Sequence, residues 1–172
     1  MGILDGNPKH EPMHYGEIYA LWAFSSQTKL AFTGYHTLRN HAGDSDLREF
    51  MKELIDVAAK ETDDCDALLI KNGITPPPSP PEKPKANLED IPAGARFTDQ
   101  EISASLSVDL IIGLNMCSQI IGQAIREDIG MLFTKYHQTK TSLSSKLLRM
   151  NKAKGWLVPP PLQLQTKELV HS

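Results

Sequence analysis

The sequence predicts an all-α protein: a four-helix bundle of two antiparallel helical hairpins joined by a long proline-rich crossover. Three observations carry that prediction. Four stretches repeat apolar residues every three or four positions, the spacing of one helix face. Two of them stop in the same way, at "KNGITPPP" (Lys71–Pro78) and "AKGWLVPPP" (Ala153–Pro161). Seven of the twelve prolines fall in the stretch that begins within the first stop, "TPPPSPPEKPKANLEDIPAGARF" (Thr75–Phe97). Gly73 and Gly155 are 82 residues apart in a chain of 172, so one unit is used twice.

The elements follow in order. Residues 1–13 hold no periodicity and read as a flexible leader. A first helix runs from about His14 to Asn40, with Ile18, Leu21, Phe24, Thr28, Ala31, Tyr35 and Leu38 on one face. "NHAGDSD" (Asn40–Asp46) supplies a glycine for its end and Asp44 or Ser45 to cap the next helix. The second helix reaches about Asn72, with Leu47, Met51, Leu54, Ala58, Glu61, Cys65 and Leu68 facing inward. Gly73 suits the left-handed residue that closes a helix, and the prolines beyond cannot continue it.

Residues 73–97 form the crossover. Polyproline geometry advances roughly 3 Å per residue. About twenty such residues span a helix roughly 40 Å long at ~1.5 Å rise per residue. An ordered strap is the main reading; a disordered linker is the competing one. "FTDQEI" (Phe97–Ile102) opens the third helix with a capping box, Thr98 and Glu101. Its face is Ile102, Leu106, Leu110, Leu114, Cys117, Ile121 and Ala124. The 82-residue offset lays Asn40–Asp46 over Gly122–Asp128 and places a turn there. A fourth helix then runs from about Glu127 to Lys154, with Ile129, Phe133, Tyr136, Leu143, Leu147 and Met150 inward. The bundle domain spans 14–161, with Trp156 and Leu157 folded back on its end, and 162–172 form an extended tail. Two hairpins joined by one long crossover have the ferritin-like topology.

Composition narrows the function. Net charge is -3 with pI near 6.1, and no Lys/Arg block occurs, which argues against nucleic acid as a partner. Leu110–Gly122 is too short and too polar for a membrane span. No secretory signal is visible, and Met1–Gly2 lacks the Ser or Thr that a myristoylation motif needs at position 6. Cys65 and Cys117 read as reduced core thiols, so the expected location is cytoplasmic.

Several segments look familiar as a set: "HYGEIYALW", "NHAGDSDL", "NGITPPPSPPEKP", "IPAGARFTDQEI", "IREDIG" and "NKAKGWLVPPP". From about Tyr15 to Pro161 the chain resembles a family of uncharacterised ferritin-like proteins from spore-forming Gram-positive bacteria, related to spore coat protein F. The resemblance implies a ferritin-like bundle and an association with the spore or its coat. It implies no particular activity.

The bundle interior holds the candidates for chemistry. A dinuclear iron or manganese centre needs Glu from two helices and Glu-x-x-His from the other two. The second and fourth helices contain no Glu-x-x-His. His14 and Glu17 have the reverse spacing, where Glu17 serves the helix start and its dipole. Glu61 occupies a core slot, and Asp109 lies beside the core stripe of the third helix. If both turns lie at one end, these carboxylates meet at mid-height, level with Gln27, Thr28, Lys29, Thr139, Lys140 and Ser142. Two readings stand: a polar layer satisfied by hydroxyls or a lysine, or a metal or proton site. His36, His41 and His137 read as a second cluster near the turn end. With neighbouring carboxylates they suit a transition metal such as zinc. Alternatively His41 caps the last carbonyls of the first helix, and His36 and His137 lie on flanks.

No Gly-rich phosphate loop, Gly-x-Ser-x-Gly or Cys-x-x-Cys is present. The expected function is therefore a non-enzymatic structural or interaction protein with no cofactor. Its partners would be a second copy, giving a dimer through the apolar third helix (Ile111, Ile112), or other spore proteins. The alternative is a metal-binding protein or oxidase with a degenerate carboxylate/histidine site for iron, manganese or zinc.

Overall fold

A computed structural model describes residues 4, 6, 7, 10–81 and 83–163; the last nine residues of the expected tail lie outside the described residues. The described residues form four α-helices and no β-strand: α1 (Tyr15–His41), α2 (Ser45–Lys71), α3 (Asp99–Gln123) and α4 (Glu127–Lys154). This is consistent with a four-helix bundle. Two short 3-10 turns, Leu88–Asp90 and Ala93–Ala95, punctuate the crossover.

Three of the helices start where a side chain can satisfy their free N–H groups. His14 caps α1 and forms a capping box with Glu17. Asp44 caps α2, and Thr98 with Glu101 forms the expected box on α3. Such caps are each worth about 1 kcal/mol. Gly73 and Gly155 both have positive φ, at 76° and 71°. After each glycine the next residue's N–H turns back to the helix: Ile74 to the Leu69 carbonyl, Trp156 to that of Asn151. These are the same positions, 82 residues apart.

The helices pack chiefly within hairpins, α1 on α2 and α3 on α4, and α1 also lies against α3. The two interhelical turns sit at opposite ends, so Glu61 and Asp109 are not aligned by turns that share an end. The α1–α2 turn meets the start of α3, because the N–H groups of Gly43 and Asp44 donate to Asp99 at 2.8 and 3.1 Å. The α3–α4 turn meets the start of α1, because those of Ile125 and Arg126 donate to Glu17 at 2.8 and 2.9 Å. Therefore α2 and α3 run in the same direction, and the crossover must climb the full length of α2, ~40 Å at 1.5 Å per residue. The strap is held to the bundle: buried Lys29 donates to the Pro77 carbonyl at 2.5 Å and pairs with Asp66 at 2.6 Å.

The core comes in two apolar halves. One contains Tyr35, Leu47, Phe50, Met51, Leu54, Ile102, Leu106, Leu110, Leu143 and Leu147, with Trp156 packed against it as expected. The other contains Leu21, Phe24, Cys65, Leu69, Cys117, Ile120, Ile129, Phe133 and Tyr136. Met13, within the stretch read as leader, is buried in that second half. Fully burying a large apolar side chain stabilises by about 1.5–3 kcal/mol, and both halves draw on all four helices. Small phase differences appear: Leu69 and Ile120 are buried where Leu68 and Ile121 were expected, and those two are half-buried.

Candidate functional site

Between the two apolar halves lies a layer of charge. Glu61 on α2 is buried, and its Oε2 accepts from Lys140 Nζ on α4 at 2.7 Å. Asp109 on α3 accepts from the Tyr35 hydroxyl on α1. All four line one cavity of about 50 Å³, with Gln27, Thr28, Gly113 and Met116 among its walls. Each helix thus contributes one group. Glu61 and Asp109 share this cavity because each sits near the middle of its helix, so the opposite placement of the turns does not part them.

Burial pushes the Glu61 carboxyl above the usual carboxylate range, the Lys140 ammonium pulls it back, and Asp109 raises it again. The Tyr35 hydroxyl is also raised, by burial first and then by the Asp109 charge. Glu61 Oε1 makes no hydrogen bond within the protein. The cavity itself has room for a few water molecules, which need about 10–15 Å³ each.

Lys140 reaches Glu61 because α3 carries glycine where the two helices meet. A Cβ on Gly113 would stand 2.9 Å from Lys140 Cδ and 3.1 Å from Cε. Gly113 had no signal in the sequence; a glycine inside an apolar helix shows its purpose only once its neighbour is known. The same holds for Tyr35, read as a core residue but not as the partner of Asp109.

The histidines do not join this layer. His41 Nδ1 accepts from the Phe97 N–H at 3.3 Å and its ring packs on the Phe97 ring at 5.3 Å. It therefore anchors the end of the crossover rather than capping the last carbonyls of α1. His36 packs edge-on against Phe32 at 4.7 Å and lines a groove with Lys83 of the crossover. His137 is half-buried on α4, ten residues from the opposite turn, so the expected histidine cluster is not formed. Among the described residues no three His, Cys, Asp or Glu side chains converge to hold a metal ion. A dinuclear centre does not fit this donor set, because Lys140 occupies one oxygen of Glu61 and Tyr35 engages Asp109.

The two core thiols are held protonated. Cys65 and Cys117 are free and buried. Burial pushes the Cys117 thiol up to about 12 and raises that of Cys65 as well. Neither is a thiolate near neutral pH, so neither is a nucleophile. Arg126, buried at the α3–α4 turn, makes two bonds to Asp128, at 3.0 and 2.7 Å, and one to Asn72 Oδ1 at 3.1 Å. At the other end Lys154 bridges Asp44 and Asp46, each at 2.7 Å. Both of these clusters join helix ends.

The family model described as Protein of unknown function (DUF3231) matches residues 1–169. The chain is 46% identical over 165 residues to "Uncharacterized protein YvdQ" of Bacillus subtilis (strain 168), covering 96% of this chain and 97% of that one. Its fold is similar to the crystal structure of "a putative spore coat protein" from Bacillus halodurans C-125. That match has a TM-score of 0.90 and 46% identity, and covers 92% of this chain and 100% of the other.

Proposed function

The chain belongs to the DUF3231 family, and from that premise we propose that it is a non-enzymatic, ferritin-like structural protein associated with the spore or its coat. The observation that carries this reading is the Glu61–Lys140 pair at 2.7 Å. A ferritin-like bundle with chemistry at its centre keeps carboxylates available for a cation. Here the chain's own ammonium sits on the buried carboxylate, and the layer acts to fix helix register. The direction of the crossover, joining α2 to a parallel α3, supports the ferritin-like topology. The likeness to "a putative spore coat protein" supports the spore assignment. The exposed proline straps offer extended segments for other coat proteins to dock against.

Fractionation tests the location. Spores of the source organism, stripped of coat, are compared by immunoblot with the lysate of vegetative cells. The protein is expected in the coat extract; its confinement to the vegetative lysate contradicts the assignment.

One observation favours the second reading, a degenerate metal site: Glu61 Oε1 is buried without a protein partner. Titration of the purified chain with metal ions separates the two.

A further inference from the structure

The four helices divide the surface by chemistry. The exposed sides of α2 and α4 carry Asp46, Glu49, Lys52, Lys60, Lys135 and Arg149, among other charges. The neighbouring pair α1 and α3 is different. Along α1, Glu17 and Lys29 are buried, and no exposed residue from Tyr15 to Leu38 is charged. Along α3, no exposed residue from Ser103 to Gln123 is charged, and half-buried Asp109 is bonded to Tyr35. Large apolar groups stand in the open instead: Tyr19 is 72% exposed, Leu30 66%, Val108 57% and Ile112 48%. The polar residues exposed beside them, Gln27, Ser105, Asn115, Ser118 and Gln119, are all uncharged, and exposed apolar groups on a face without charge mark an interaction site.

We propose that the α1–α3 face is the interface of a homodimer, two copies packing these faces together about a two-fold axis. This deepens the interaction-protein reading, on which it rests, by naming the partner. Three properties of the face select a second copy. The first is charge: a two-fold contact sets a surface against itself, and a surface with charge forces like charges to meet unless they are arranged with care. Between Tyr15 and Leu38 and between Ser103 and Gln123 this face exposes none to meet. The second is area. Two helices ~40 Å long and ~10 Å apart present a face of roughly 800 Å², the area each partner buries in a standard stable interface. The third is composition, since homodimer interfaces are the apolar class with charge depleted at the centre.

A lipid surface is the other occupant that an apolar face allows. The segment Ala93–Gln123 is long and apolar enough to cross a bilayer by length and composition, with mean hydropathy 1.5 over an 18-residue window. However, α3 buries Ile102, Leu106, Leu110, Cys117 and Ile120 within the bundle. Its exposed side carries Asn115 and Gln119 and no Lys or Arg, the residues that enrich the polar face of an interfacial helix.

The test is the oligomeric state of the purified full chain, measured by sedimentation equilibrium at micromolar concentrations. The expected mass is twice the 19.1 kDa of one chain. Ile112→Glu and Leu30→Glu are expected to weaken dimerisation at least tenfold while helicity by circular dichroism is kept. Lys60→Glu, on α2, is expected to leave it unchanged. Should the charged variants misfold, Ile112→Ser with hydrogen exchange of the native chain at high and low concentration gives the same answer. Dilution is then expected to deprotect α1 and α3 and spare α2. A monomeric native chain, or a dimer indifferent to Ile112 and Leu30, overturns the proposal. So does a monomer that floats with phosphatidylglycerol vesicles. None of these results depends on where the protein resides, so the spore assignment stands or falls separately.

Discussion

Lys140 Nζ lies 2.7 Å from Glu61 Oε2, joining two residues 79 positions apart across the middle of the bundle. The two side chains are almost wholly removed from water, at 13% and 3% exposure. Removing one partner strands the other charge in the core, which costs about 3–5 kcal/mol. Glu61→Ala and Lys140→Ala are each expected to lower stability by about that amount in urea unfolding. The double variant Glu61→Leu/Lys140→Met removes both charges and is expected to match or exceed the native chain. The pH dependence has a definite sign. The folded-state value of Glu61 is raised, so the native state holds that proton more tightly than the unfolded chain. Its contribution is greatest below the ordinary carboxylate value and falls as pH rises through the folded value. Comparing Glu61→Gln with the native chain across acid pH isolates that slope; a slope of the opposite sign contradicts the assignment.

Gly113 provides the space for that lysine. Gly113→Ala is expected to destabilise, because overpacking costs about 1–3 kcal/mol and exceeds the gain in helix propensity of up to about 1 kcal/mol. Gly122→Ala is the control, since nothing lies within 4 Å of its new methyl group. It is expected to stabilise by up to about 1 kcal/mol. Thermal unfolding of both variants, and of Gly113→Ala with Lys140→Met, measures the difference. The second substitution is expected to relieve most of the first one's cost.

Glu17 and Asp99 do the same work at opposite ends. Each accepts two backbone N–H groups from the distant turn. Truncating either to alanine leaves two donors unsatisfied, at about 1–3 kcal/mol for each buried one. Glu17 is 3% exposed and Asp99 is half-buried, so Glu17→Ala is expected to cost more. Chemical denaturation of the two variants tests the order; equal and negligible effects would show that the carboxylates do not hold the turns.

The cysteines give a chemical readout of the core. With the Cys117 thiol at about 12 and that of Cys65 also raised, neither is expected to react with an aromatic disulfide at pH 8 in the folded protein. Both are expected to react at once in denaturant. Rapid labelling of the native chain would mean that the core half around Phe24 and Phe133 opens.

These features differ in how far sequence exposes them. Gly73 and Gly155 announce themselves, because a Gly–apolar–Pro ending on a periodic run can do little except stop a helix. The crossover is equally legible from its prolines. The repeat goes deeper than those endings. Residues 82 apart hold matching posts, Glu17 with Asp99 at the turns, and Asp44 with Arg126 and Asn72 with Lys154 in the end-to-end contacts. The chemistry at these posts differs between the halves, an acid–lysine pair at one end and an arginine–amide pair at the other, so identity does not show it. The polar layer is half legible. A Glu in a core slot can be seen from helical phase, but its partner on α4 depends on which way the hairpins face each other. The expected histidine cluster does not form for that reason, since it required both turns at one end.

Metal binding at the centre of the bundle tests the central claim most directly. The purified chain is incubated with Fe(II), Mn(II) or Zn(II), desalted, and assayed for bound metal, with the melting temperature recorded alongside. The Glu61–Lys140 pair predicts well under one ion per chain and an unchanged melting temperature. One or two tightly held ions per chain, lost in Glu61→Gln and accompanied by a raised melting temperature, would contradict it.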